Sequence, residues 1–190
     1  MRGTYWFAVL AVAAFSTSAS AVIHDISLLG RSGPGMRFDN ENPSASGSGT
    51  GGEIAPGITY NDVTDLLTIN VGWGSGKGFT DLTGSVIAAH IHQASSPAFT
   101  DSGGVIISLD GATPGFNNSG TNGGWTNTQV TLTAAQETQL FLGTLYLNAH
   151  TNANGGGEIR GNMIVPEPGS ATLLLCGGAG LLLRRKRVTN

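Results

Sequence analysis

The stretch Val86-Ile87-Ala88-Ala89-His90-Ile91-His92 alternates with the period of a β-strand and carries two imidazoles two residues apart. In an extended chain, side chains at i and i+2 leave the same face, about 7 Å apart. Val86, Ala88, His90 and His92 therefore share one face, and Ile87, Ala89 and Ile91 share the other. The wholly apolar set is expected to face the core, which leaves both histidines on the outer face. A metal site or a polar binding patch uses that arrangement.

The neighbouring segments repeat the pattern. Leu67, Ile69, Val71 and Trp73 alternate with Thr68, Asn70 and Gly72, and the run is preceded by the turn chemistry of Asn61-Asp62-Val63-Thr64-Asp65. Gly52–Tyr60 and Leu66–Trp73 thus read as a hairpin. Ile23–Leu29 and Val105–Leu109 are further strands. Leu145, Leu147 and Ala149 oppose Tyr146, Asn148 and His150, and Ile159, Gly161 and Met163 oppose Glu158, Arg160 and Asn162. One short helix is expected where Thr133 and Gln136 have capping-box spacing, with Gly143 as its left-handed stop. Gly30–Thr50 and Gly111–Gly124 read as loops. Six to eight short strands with one helix predict an all-β fold, an antiparallel Greek-key β-sandwich or barrel of superoxide-dismutase-like or immunoglobulin-like type.

Composition agrees. The 190 residues include 30 glycines, and only 11% are charged, which suits a turn-rich β-protein. Residues 22–164 hold eleven acids against Arg31, Arg37, Lys77 and Arg160, a formal charge of −7. Without a basic patch, nucleic acid is not an expected partner. The single cysteine, Cys176, lies in the C-terminal apolar run, so core packing or metal must hold the body.

Both ends read as addresses. Arg2, the apolar stretch Tyr5–Phe15 and the small residues Ala19-Ser20-Ala21 form a secretory signal over 1–21. The body is 22–164. In the segment 165–190, Pro166-Glu167-Pro168 precedes the apolar run Ala171–Leu183 and the basic cluster Arg184-Arg185-Lys186-Arg187. The run is short for a comfortable membrane span, and the basic cluster favours the cytoplasmic side. These three parts resemble the PEP-CTERM sorting signal of Gram-negative bacteria. That resemblance implies transient membrane insertion, processing by an exosortase-type enzyme, and residence at the outer cell surface or in a biofilm matrix. A plain C-terminal anchor gives the same topology without processing.

The body carries its own resemblance. Ala89-His90-Ile91-His92, Leu132-Thr133-Ala134-Ala135-Gln136, Leu145-Tyr146-Leu147-Asn148-Ala149-His150-Thr151 and Gly156-Gly157-Glu158-Ile159-Arg160-Gly161 resemble the CHRD (chordin-type) domain, in order, across about 23–164. Glu41-Asn42-Pro43 only partly matches the Glu-Val-Pro-Pro stretch often found near the family's start. The resemblance implies an exported β-domain rather than a reaction. The expected role is a non-enzymatic surface or matrix module that binds extracellular polysaccharide or matrix protein.

His90, His92 and His150 fall on the polar faces of their strands, and three imidazoles on neighbouring strands suit copper or zinc. A second similarity, to copper/zinc superoxide dismutase, implies copper ligation by these three, an anion-guiding Arg160 and, as the alternative role, a copper- or zinc-binding β-domain with redox activity. The pattern departs from that family because no histidine lies between His92 and His150. The alternative is a hydrogen-bonded network of these histidines with Asn148, and an Arg160–Glu158 ion pair. If cleavage follows Ala21, His24 becomes the third residue of a free N-terminus, a candidate square-planar Cu(II) or Ni(II) site. Gly-x-Ser-x-Gly and a body cysteine are absent, so no catalytic residues are assigned.

Overall fold

The computed structural model describes residues 21–166 apart from 42, 110, 112 and 119. The secretory signal up to residue 20 and the sorting segment from Glu167 onward lie outside the described residues.

Among the described residues, twelve strands pair antiparallel throughout, with one α-helix. They are β1 (Ile23–Gly30), β2 (Gly33–Pro34), β3 (Met36–Arg37), β4 (Thr50–Glu53), β5 (Ile58–Asn61), β6 (Leu66–Trp73) and β7 (Val86–Ala94). After them come β8 (Gly103–Ser108), β9 (Phe116–Asn118), β10 (Gly123–Thr131), α1 (Ala134–Phe141), β11 (Leu145–Thr151) and β12 (Ile159–Ile164). Strand β6 pairs β10 and also both β5 and β4. Strand β12 likewise pairs β11 and both β1 and β3. With β1 joined to β5 and β3 joined to β4, these strands form a closed hydrogen-bonded circuit. From it one arm runs β11–β7–β8 and the other β10–β9. The expected all-β sandwich or barrel is what forms.

The core is built from both arms and from the circuit strands β6 and β12. Leu67, Ile69, Val71, Trp73 and Trp125 meet Ala89, Ile91, Leu147, Ala149, Ile159 and Met163 in one buried cluster. Trp73 and Trp125 cross edge to face at 5.1 Å, and the Trp125 indole donates to the Leu109 carbonyl at 2.8 Å. That bond lets a large polar-tipped ring be buried without an unmet donor.

The local signals are reproduced. Asn61 Oδ1 accepts from the backbone of Val63 and Thr64, closing the turn between β5 and β6. Thr133 and Gln136 complete the capping box, and Gly143 ends the helix with φ 69°.

Three expectations are corrected. Ile87 is 61% exposed, whereas Val86 is buried. In the β11–β7 ladder His150 faces Ala88 and Thr151 faces Val86, so Ile87 is an extra, bulged residue that inverts the alternation before it. The span 111–124 is not simply a loop, since β9 and the start of β10 lie within it. Strand β10, which carries the core residue Trp125, had no clear period-2 signal. Finally, 30–50 is not one loop, because it contributes β2, β3 and a 3-10 turn at Phe38–Asn40.

Candidate metal centre

The outer face of the β7–β11–β12 layer is where the polar residues gather. Cross-strand register sets Tyr146 beside His92, Asn148 beside His90, and His150 beside Ala88. On the other side of β11, Asn148 faces Arg160 and Tyr146 faces Asn162. One surface thus collects three histidines, Tyr146, Asn148, Arg160 and Asn162.

This face is not open to solvent as the alternation argument expected. His92 and His150 are 7% and 9% exposed, and Arg160 is fully buried. Loops close over it. Asn40, in the 3-10 turn after β3, donates to the Arg160 carbonyl at 2.9 Å. The segment after β7 brings in Gly103, whose carbonyl accepts from His92 Nδ1 at 3.0 Å and from the Tyr146 hydroxyl at 3.2 Å. The turn after β11 brings in Gly155, whose carbonyl accepts from His150 Nδ1 at 3.0 Å. Periodicity reports which residues share a face, but not what long loops later lay across it.

Those two carbonyls fix the chemistry of the rings. A carbonyl only accepts, so both Nδ1 atoms carry the proton and both Nε2 atoms present lone pairs. The two Nε2 atoms lie 3.3 Å apart. Two acceptors facing at that distance repel each other unless a proton or a cation lies between them. Burial, followed by the neighbouring charges, opposes the proton. It pushes His92 down to about 4 and lowers His150 as well. The ligand nitrogens of His90, His92 and His150 all lie within 4.8 Å of one another, the one such group among the described residues.

The arrangement fits a metal. At a Zn–N distance of about 2.0–2.1 Å, a 3.3 Å separation of two nitrogens subtends about 104–111° at the ion, close to the tetrahedral angle. Donation of the second ring nitrogen to a backbone carbonyl is the usual outer support of a metal-bound histidine. Half-buried His90 completes the set, its ring 4.9 Å from that of His150.

Behind the triad, Tyr146 stacks on His92 at 4.9 Å and 13°, and the Arg160 guanidinium lies 3.7 Å from the Tyr146 ring centre. Arg160 Nε donates to Asn162 Oδ1 at 3.2 Å. Its partner is not Glu158, which correction has a clear cause. Glu158 turns to the backbone of Thr83 and Gly84 and to the Thr151 hydroxyl at 2.7 Å. Glu41 and Asp101 are the acids that act on Arg160, and burial pushes Glu41 up to about 7 although the guanidinium pulls it back.

His24 stands apart from the triad. It sits on β1, with Nε2 3.8 Å from Asp62 and its ring 5.0 Å from Phe141. Tyr146 and Glu41 were not singled out from the sequence as site residues. Tyr146 shares the alternation of Asn148 and His150, which was a usable signal. Glu41, far away in the chain, offered none beyond the family-like Glu41-Asn42-Pro43.

The decisive comparison is with protein families: residues 36–163 match the CHRD domain. The chain belongs to the CHRD domain family. The match spans β3 through β12, so the layer carrying all three histidines lies within the CHRD domain. Comparisons with curated proteins and with solved structures brought no match.

Proposed function

We propose that this CHRD domain is a metal-binding module, holding one zinc or copper ion through His90, His92 and His150. The observation that carries the proposal is the pair of lone pairs facing each other at 3.3 Å, each ring oriented by its own backbone carbonyl. Imidazole donors suit both ions. The role is binding and structural rather than catalytic. In a domain whose cysteine lies outside the body, a metal clamp between β7 and β11 adds stability to the folded state.

The signals at the two ends support export and attachment of this module at a Gram-negative cell surface or matrix, after exosortase-type processing. Intact mass of the exported protein tests this part. It should begin at Val22 and lack the basic cluster from Arg184, whereas retention of residues 1–21 would refute export.

For the metal, the purified protein is stripped with chelator and given one equivalent of zinc or copper. One ion per chain should survive desalting, and His92→Ala should lose it. Failure of the wild-type protein to retain either ion would end the proposal.

A further inference from the structure

A separate cleft of about 290 Å³ lies at the β3–β4 end of the closed circuit, lined by Arg37, Thr50, Gly52, Glu53, Phe79 and Pro34. Its parts are fixed in advance. Gly52 has no side chain, and a Cβ there would sit only 3.2 Å from the Phe79 ring, so the bare backbone lets that ring lie against the strand. The Phe79 loop is tied down on both sides. Phe79 N donates to the Gly74 carbonyl at 3.0 Å, while Thr50 and Thr80 exchange a backbone bond at 3.1 Å and a bond to the Thr50 hydroxyl at 2.9 Å. Arg37 is anchored by Nε on the Pro34 carbonyl at 3.2 Å, and Glu53 by one oxygen on Leu28 N at 2.5 Å.

The cleft therefore brings together an aromatic ring, a guanidinium, a carboxylate and a hydroxyl, the polar groups each held in place by one atom. A ligand that matches it has an apolar face and a rim of hydroxyls able to both donate and accept. The apolar side chains of the lining are only Phe79 and Pro34, and the charged Arg37 and Glu53 beside them suit a hydroxyl-bearing ring better than a planar aromatic one. We infer that the cleft between β3, β4 and the Phe79 loop binds a pyranose ring of a saccharide, with its C–H face on Phe79 and its hydroxyls on Arg37 and Glu53. The inference does not depend on the metal centre.

The test is an amide NMR titration of the whole protein with methyl glucoside, with glucuronic acid, and with benzoate as the aromatic competitor. One ring in an open cleft should bind with a Kd on the order of 1 mM. The sugars should shift amides of Gly51, Gly52, Phe79 and Arg37, and a gluco-oligosaccharide should shift the same set, which identifies a polymer as the larger source. Phe79→Ala and Arg37→Ala should each weaken binding by about 10-fold or more, equivalent to about 1.4 kcal/mol. Both side chains stand outside the apolar core, so the spectrum should otherwise remain that of the folded protein. Sugar shifts unchanged in Phe79→Ala, no saturable shifts, or saturation by benzoate alone would each overturn the inference. Repeating the titration with His92→Ala should give the same sugar affinity, separating this site from the metal.

Discussion

His92 and His150 bring their Nε2 atoms to 3.3 Å while each ring donates from Nδ1 to a backbone carbonyl, Gly103 and Gly155 respectively. Neither carbonyl belongs to the strands that carry the rings. The start of β8 and the turn after β11 therefore set the tautomers, and the β7–β11 pairing sets the spacing. Removing either ring should cost more metal affinity than the roughly 10- to 100-fold typical of losing an outer-shell partner. Competition titration against a chelator of known affinity checks this with His92→Ala and His150→Ala. Wild-type affinity in either variant would exclude that ring as a ligand.

Glu41 and His92 should pull the pH dependence of the apo-protein in opposite directions. His92 has a folded pKa near 4 against an ordinary 6.5. Between those values the unfolded chain binds the extra proton, so stability is lost as pH falls through that window. Glu41 has a folded pKa near 7 against an ordinary 4.5. There the folded state holds the extra proton, so stability is lost as pH rises from 4.5 to 7. Glu41→Gln removes only the second effect. Thermal unfolding in chelator should show the variant gaining on wild type between pH 4.5 and pH 8. A constant difference across that range would contradict the assignment.

Gly157 is the narrow point of the site's cover. Its φ is 127°, and a Cβ there would meet the Asn148 side chain at 2.4 Å and Glu41 Oε1 at 2.7 Å. Gly157→Ala should destabilise the domain by about 1–3 kcal/mol from backbone strain alone. Gly156→Ala, whose Cβ would meet nothing within 4 Å, should stay within about 0.5 kcal/mol of wild type. Chemical denaturation of the two variants measures the contrast, and equal stability would argue against a packed turn over Asn148.

The strands that sequence revealed are those with one apolar face and turn residues at both ends, such as β6, β11 and β12. Strand β10 escaped because Gly123-Gly124 and Asn127 break its pattern, and its Trp125 enters the core from a segment that reads as polar. Ile87 shows a different limit. A bulge leaves each residue's character intact and shifts only the phase, and that is decided by pairing with β11. The three histidines were legible as a set because alternation places each on its strand's polar face. Their orientation was not, since it depends on the carbonyls of Gly103 and Gly155, and backbone groups have no signature in a sequence. Closure of the face by Asn40, Gly103 and the turn carrying Gly155 was equally hidden, because contacts between segments far apart in the chain follow from the closed topology.

The central claim rests on which nitrogen of each ring is free. Long-range ¹H–¹⁵N correlation of the imidazoles measures that directly, first in the metal-free protein and then with one equivalent of zinc. His92 and His150 should both show a protonated Nδ1 and a bare Nε2 before addition, and both Nε2 resonances should move with stoichiometric zinc while Nδ1 keeps its proton. A protonated Nε2 on both rings in the metal-free protein, or resonances that do not respond to zinc, would contradict the account.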